Sequence, residues 1–286
     1  MHPTESTVQQ LEDHKDGPKI LMIGDVFGKA GRRALELHLG PLKEAHGLDL
    51  VIANGENSAG GIGITPSVAR ELFQVGVDVI TSGNHVWRYK EIFDYIEANN
   101  HLLRPMNYPA GTPGKGFVLL TTLSKIRVAV VNLLGRVFME PLDCPFQAAD
   151  RFLERVRLGR DVDAIIVDMH AEASSEKGAM GYHLDGRVSA VLGTHTHVPT
   201  ADHQILPGGT AFQTDVGMTG CYRSIIGMKP ETVLPRFLKQ MPTHFEQAQG
   251  EGTLCGVIVT LARENGLCRE IQPVRLGSQL ANTGLP

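Results

Sequence analysis

Cysteine is scarce in this chain and unpaired in pattern. Cys144, Cys221, Cys255 and Cys268 are the only four, and none stands in a C-x-x-C spacing. That excludes a zinc ribbon and a thioredoxin-type redox motif. So few thiols in 286 residues predict reduced cysteines in a cytoplasmic protein, not a disulfide framework. No apolar run approaches the roughly 18 residues that a membrane span needs, so no membrane partner is expected. The net charge of −4 gives no general pull towards nucleic acid or anionic lipid, and stable DNA binding is not expected. Any anionic substrate then has to be held by local charge, such as bound metal ions. The phosphate-cradling pattern G-x-x-x-x-G-K-S/T is absent. Internal repeats, low-complexity tracts and clear linkers are lacking too, and the length fits one domain. Residues 1–17, MHPTESTVQQLEDHKDG, have no apolar stretch of the kind a secretory signal carries. They predict a disordered leader, followed by a single domain over 18–286.

What is present is a set of five short polar clusters, each at the end of an apolar run. They are Gly24-Asp25, Gly55-Glu56-Asn57, Gly83-Asn84-His85, Asp168-Met169-His170 and Gly193-Thr194-His195-Thr196-His197. The runs before them, such as ILMI, LVIAN and AIIV, read as buried strands. Open α/β sheets gather their sites at the carboxyl ends of strands. Five such ends carrying Asp, Glu, Asn and His point to one metal site assembled from across the fold.

Patterning supplies the frame. A strand over 19–26, a helix over Arg32–His46, a strand over Leu50–Asn54 and a helix capped by Thr65-Pro66 follow in order. A strand over Val77–Thr81 and a helix over Tyr89–Ala98 continue the β-α-β rhythm of a mostly parallel sheet. Phe117–Leu123 and Arg127–Leu133 read as a hairpin. A helix over Ala148–Leu158, a strand over Ala164–Asp168 and a short helix over Ser175–Tyr182 come next. Strands over Val188–Leu192, His203–Leu206 and Thr210–Gln213 precede a helix over Pro230–Gln240. A closing hairpin, Cys255–Ala262 with Cys268–Leu276, turns at Glu264-Asn265-Gly266. An α/β protein of two facing mixed sheets, with helices outside, accommodates both the alternation and the hairpins.

Taken singly, most of the polar residues have ordinary readings. Asp25 suits a helix cap or turn. Asn84 could serve a turn and His85 a satisfied structural histidine. Glu56, beyond a buried strand, is costly to bury unless paired or metal-bound. His195 and His197 share a face if the strand carries through Thr196, which would send both imidazoles into one space. Asp25, Glu56, Asn57, Asn84, His170, His195 and His197 together offer more ligands than one tetrahedral zinc takes. They suit two metals sharing a carboxylate, the arrangement that clamps both oxygens of a displacement at phosphorus. A mixed oxygen and nitrogen set without thiolate fits iron, manganese, zinc or cobalt.

At these residues the sequence resembles the calcineurin-like metallophosphoesterases, and more closely the bacterial YmdB-like family. The matching segments include GDVFGKAGR (24–32), NGENSAGGIGIT (54–65), SGNHVW (82–87), HAEASSEK (170–177), GTHTHVPTAD (193–202) and GTAFQTDVGMTG (209–220). The broader superfamily carries Asp-x-His in its first motif; here Phe27 stands at the histidine position. Glu56 replaces the superfamily's bridging Asp, and Asn57 can supply the oxygen that the missing histidine leaves open. The YmdB-like family shares both changes. The resemblance implies the calcineurin-like fold, an α/β/β/α sandwich. It implies that Asp25, Glu56, Asn57 and His197 hold one metal and Glu56, Asn84, His170 and His195 the other. It also implies that a metal-bound hydroxide attacks phosphorus and that His85, not itself a ligand, protonates the leaving oxygen.

The activity implied is a dinuclear metal-dependent phosphodiesterase for small phosphodiesters such as 2′,3′-cyclic nucleotides, with two transition-metal ions per chain, iron first. A phosphomonoesterase is an alternative for the same site. A regulatory protein whose metal site shapes a partner surface in RNA metabolism is another, and a homo-oligomer stays open. Arg136, Ser175, Lys177 and Thr196 are further candidates for substrate contact, and Tyr108 and Phe138 for stacking on a base. Gly28-Lys29-Ala30-Gly31-Arg32 reads more readily as a tight strand-to-helix turn than as a phosphate cradle.

Overall fold

The computed structural model describes residues 17–284. Apart from Gly17, the leader expected over 1–17 lies outside the described residues. The chain opens with β1 (Lys19–Ile23), a two-residue β2 (Asp25–Val26), α1 (Gly28–His46) and β3 (Leu50–Asn54). Next come α2 (Pro66–Val75), β4 (Val79–Thr81) and α3 (Ile92–Ala98). β5 (Phe117–Thr121) and β6 (Arg127–Leu134) form the expected antiparallel hairpin. α4 (Pro145–Leu153), β7 (Ala164–His170), α5 (Ser174–Leu184) and β8 (Ala190–Thr194) follow. β9 (Gln204–Ile205), β10 (Ala211–Gln213), β11 (Met218–Thr219), α6 (Pro230–Lys239), β12 (Leu254–Leu261) and β13 (Cys268–Leu276) complete the order.

Two mixed sheets result. One has the order β13-β12-β1-β3-β4 and the other β5-β6-β7-β8-β10-β9, with β11 and β2 as a separate short pair. β1, β3 and β4 run parallel, as do β6, β7, β8 and β10. Side chains alternate across each strand, and in the central strands β1, β3, β6, β7, β8 and β12 both faces are buried, whereas the edge strands β5 and β13 expose part of theirs. Ile20 and Met22 of β1 meet Val128, Val130, Ile166 and Leu192 of the opposite sheet in an apolar layer between the sheets. Leu21 and Ile23 turn the other way, onto Leu35 and Leu39 of α1 and Leu72 of α2. The second sheet does the same outward, with Val131, Ile165 and Val167 against Phe152 of α4 and Met180 and Leu184 of α5. Helix, sheet, sheet, helix thus follows from central strands apolar on both faces, and the expected α/β/β/α sandwich is the fold.

The local signals hold where the backbone chemistry is strongest. Thr65 Oγ1 accepts the Val68 amide (3.3 Å), Pro66 opens α2, and Gly76 ends it at φ 113°. The differences lie at boundaries. The strand expected over 19–26 breaks at Gly24, because Asp25 and Val26 leave β1 to pair with Met218 and Thr219. α1 begins four residues before Arg32 and carries Pro41 within it.

Candidate metal centre

All five polar clusters meet at one rim, where the carboxyl ends of the parallel strands of both sheets come together. Asp25 follows β1, Glu56 and Asn57 follow β3, Asn84 and His85 follow β4, His170 ends β7, and His195 and His197 follow β8. Glu56 is the hub and has no solvent exposure. Its Oε1 lies 3.1 Å from His170 Nε2, 3.2 Å from Asn57 Nδ2 and 3.3 Å from His85 Nδ1. Its Oε2 accepts the His85 backbone amide at 3.0 Å.

On one side of Glu56, His170 Nε2 also lies 3.2 Å from Asn84 Oδ1 and 3.1 Å from His195 Nδ1. Glu56, His170 and His195 offer ligand atoms that all fall within 4.8 Å of one another. On the other side, His197 Nε2 stands 3.6 Å from Asp25 Oδ1 and 3.2 Å from Asn57 Nδ2. The seven ligand-type residues expected from sequence therefore converge, in two groups that share Glu56.

Their charges are interlocked. Burial pushes the Glu56 carboxyl up, and the His170 and His85 imidazoles against it reverse this and hold it well below the usual carboxylate range. Asp25 is likewise raised by burial and lowered further by His197, with a net fall. Burial lowers His170, but the Glu56 carboxylate beside it more than compensates and lifts it to about 9. His195 is pulled down to about 4 by burial and by the positive field of His170.

Three observations test whether a metal fits. Asp25 Oδ1 is buried and finds no hydrogen-bond partner among the described residues, an omission that proteins rarely tolerate without a purpose. Gly83 is a cradle: a Cβ there would lie 2.2 Å from His170 Nε2 and 2.4 Å from Glu56 Oε2. The donor set is carboxylate, amide and imidazole without thiolate, which suits borderline to hard transition metals. Asn84 already turns its oxygen inward. Asn57 gives its oxygen to His85 Nδ1 at 2.9 Å, so as a cation ligand it needs a half-turn of the amide. With that turn, the residues fit.

The route of the two imidazoles into the site differs from the expected one. β8 stops at Thr194, and His195 and His197 adopt left-handed φ values of 103° and 66°. Strand alternation through Thr196 does not bring them together. A left-handed turn sends His195 towards His170 and His197 towards Asp25.

Several residues to which the sequence assigned no role support the ligands. Asp168, buried and pushed up to about 6 by that burial, accepts from Thr81 Oγ1 (2.5 Å), Thr194 Oγ1 (2.7 Å) and Asn54 Nδ2 (3.1 Å). Thr194 Oγ1 also sits 2.9 Å from His170 Nδ1, on the far side of that ring from Glu56. Glu172 Oε2 lies 3.0 Å from His195 Nε2, which leaves Nδ1 as the nitrogen facing the centre. The H-A-E order in 170–172 carried the signal for Glu172; nothing local marked Thr194.

The weaker candidates divide. Lys177 is wholly buried and pairs with Asp215 at 2.8 Å, so it is not a substrate contact. Residues 28–32 form the first turn of α1 rather than a separate strand-to-helix turn, and Arg32 bonds the Ser58 carbonyl and Glu71, which ties that helix start to the neighbouring loop and helix. Tyr108 packs edge-on against Trp87. Phe138 is 89% exposed at φ 61°, in a loop whose Arg136 and Val137 amides are held by Glu176.

Comparisons with known proteins give the family and the fold. A family model described as YmdB-like protein matches residues 21–274. The chain belongs to the YmdB-like family. Among the relatives is the 2′,3′-cyclic-nucleotide 2′-phosphodiesterase of Bacillus subtilis (strain 168), 48% identical over 243 residues, which are 85% of this chain and 91% of the relative. A crystal structure of a novel phosphatase from Mycoplasma pneumoniae superposes with a TM-score of 0.86 at 34% identity, covering 92% and 94% of the two chains. A hypothetical protein of Thermus thermophilus superposes with a TM-score of 0.84 at 46% identity, covering 91% and 99%. For this YmdB-like chain, then, the likeness runs through the whole sandwich.

Proposed function

We propose that the chain is a metal-dependent phosphodiesterase for small phosphodiesters, with nucleoside 2′,3′-cyclic phosphates as its substrate class. The observation that carries this reading is the gathering of seven ligand-type side chains about a buried Glu56, with His85 at the edge. The relative named a 2′,3′-cyclic-nucleotide 2′-phosphodiesterase supports the substrate class. Asp25, Glu56, Asn57 and His197 would hold one ion, and Glu56, Asn84, His170 and His195 a second, with iron or manganese the first choices. When bound, the ions supply charge neutralisation at the phosphate and an activated water.

The chain's own residues do the rest. Glu56, reached from both groups, fixes the spacing of the two ligand sets. Thr194 and Glu172 orient His170 and His195 through their outward nitrogens, as residues behind metal-bound imidazoles commonly do. His85 is 34% exposed at its side chain, and its Nδ1 rests against Asn57 and Glu56. Its Nε2 is therefore the nitrogen left to give a proton to the leaving sugar oxygen. Such an alkoxide is a poor leaving group and needs that proton, and general-acid help typically contributes roughly 10²–10⁴-fold.

The experiment follows from the leaving group. His85→Ala is expected to keep its metal and lose roughly 10²–10⁴-fold in rate on a 2′,3′-cyclic nucleotide. Its loss on bis-p-nitrophenyl phosphate should be much smaller, because p-nitrophenolate leaves without a proton. Equal losses on both substrates would withdraw the general-acid role. The Mycoplasma pneumoniae relative is named a phosphatase, which favours phosphomonoesters as a second substrate class; a parallel assay on nucleoside monophosphates decides between them.

A further inference from the structure

The turn that carries His195 and His197 is held from behind by a carboxylate buried in the protein. Asp215, on the segment after β10, has no solvent exposure. Its Oδ2 accepts three donors: Lys177 Nζ at 2.8 Å, the Thr196 amide at 2.9 Å and Thr196 Oγ1 at 2.8 Å. Its Oδ1 accepts the Gly217 amide at 2.9 Å. Lys177, from α5, is equally buried, and its chain runs over Gly193, where a Cβ would stand 2.9 Å from Lys177 Cδ.

This geometry reaches three ligand-type residues at once. Thr196 lies between His195 and His197, whose left-handed φ values are strained and persist only where the surroundings enforce them. Gly217, fixed by Oδ1, presents its carbonyl to the Asp25 amide at 3.1 Å. Asp215 is further stitched to the same turn through Thr200, whose Oγ1 accepts the Asp215 amide at 2.9 Å. An uncompensated carboxylate at such a depth would be strongly destabilising, and Lys177 neutralises it.

We infer that Asp215, neutralised by Lys177, is a positioning residue: it clamps the Thr196 peptide and so holds His195 and His197 in the turn that aims them at the metal centre. The inference rests on the reading of the rim as a metal site. It assigns Thr196 to the clamp rather than to substrate. A carboxylate is required there because both oxygens take N–H donors. An amide has one acceptor oxygen, so Asp215→Asn must leave either Thr196 or Gly217 facing an NH₂ group.

The test reads metal binding apart from turnover. Metal-stripped wild type, Thr196→Ser, Thr196→Val and Asp215→Asn are titrated with Mn(II), and free Mn(II) is followed by electron paramagnetic resonance. Thr196→Ser keeps the hydroxyl and is expected to bind within about twofold of wild type. Thr196→Val loses a hydrogen bond to a charged acceptor and should bind about tenfold more weakly. Asp215→Asn should bind roughly 10–100-fold more weakly, the usual cost of losing a group behind the ligands. The Co(II) absorption spectrum should change in the two weak variants and not in Thr196→Ser. Thermal unfolding of the metal-stripped proteins separates the turn from the fold. If Asp215→Asn does not fold, the Thr196 pair still decides. Wild-type Mn(II) affinity and Co(II) spectrum in Thr196→Val would overturn the clamp, as would a raised KM with unchanged metal affinity, which marks a substrate contact. Absence of Mn(II) binding by wild type itself would instead remove the metal reading, and the clamp with it.

Discussion

Glu56 illustrates how much one residue can be asked to do. A carboxylate with no exposure is tolerated only because His170, Asn57 and His85 surround it, and a neutral side chain would leave the two imidazoles without the charge that ties them together. Glu56→Ala is therefore expected to purify with little metal and no measurable activity, whereas Asn57→Ala should weaken only the group around Asp25 and His197. Elemental analysis beside a rate assay checks both, and a Glu56→Ala protein with full metal and full rate would end the bridging assignment. Gly83 makes the complementary point, since its value lies in the atom it lacks. A methyl at that position would stand between His170 Nε2 and Glu56 Oε2. Gly83→Ala should consequently lose metal affinity far more than folding stability, which metal titration and thermal unfolding of the stripped protein together would reveal.

Elements matter through what they bury. β12 and β13 carry Cys255 and Cys268, whose thiols burial pushes up to about 12 each. Raised pKa values mean less thiolate, which is the reactive form. All four cysteines are free. Cys144, half-buried at the start of α4, should react with a thiol reagent in the native protein, and the two strand thiols only on unfolding. Denaturant should then release four titratable groups without reductant; rapid native labelling at Cys255 would contradict this account. β8 makes a different demand. At its end Gly193 passes so close to the neighbouring segment that a Cβ would sit 1.7 Å from the Thr214 carbonyl. Gly193→Ala should destabilise the protein by about 1–3 kcal/mol through forced displacement, visible as a lower denaturation midpoint with an unchanged slope.

At the scale of the whole molecule, the proposed centre spans two sheets that also meet through an apolar layer and through the bonds of Thr81 and Asn54 to Asp168. The proposed ligands come from the ends of β1, β3 and β4 in one sheet and of β7 and β8 in the other, so a metal bound there would stabilise the folded state over any state in which the sheets part. A ligand present at about 100 times its dissociation constant contributes about 2.7 kcal/mol. For a domain of this size that corresponds to roughly 5–10 °C in Tm. Saturating Mn(II) should raise the Tm of stripped protein by that amount and a chelator should reverse it. An unmoved Tm across both treatments would argue against ions bridging the sheets. No helix among the described residues is long and apolar enough to cross a membrane, in keeping with the sequence.

The sequence by itself marked runs such as ILMI and AIIV as buried strands, because they are apolar and too short for helices, and two facing mixed sheets with helices outside accommodated them; the resemblance implied the α/β/β/α sandwich. It also determined the ligand types, because Asp, Glu, Asn and His at the ends of such runs are costly without a shared purpose. It could not determine how His195 and His197 reach the site. That depends on a left-handed turn which strand periodicity does not foresee, and on Asp215, distant in sequence and set in a segment, GTAFQTDVGMTG, that carries the resemblance but does not say what its carboxylate holds. Lys177 shows the same limit: a lysine in a polar helix reads as a surface or substrate-facing charge until the fold buries it against a carboxylate. Thr194 and Asp168 became supports for His170 only when β7 and β8 were laid side by side and β4 of the other sheet packed against them. Local chemistry fixes what a residue can do, whereas the partner that gives it something to do is chosen by contacts between segments far apart in the chain.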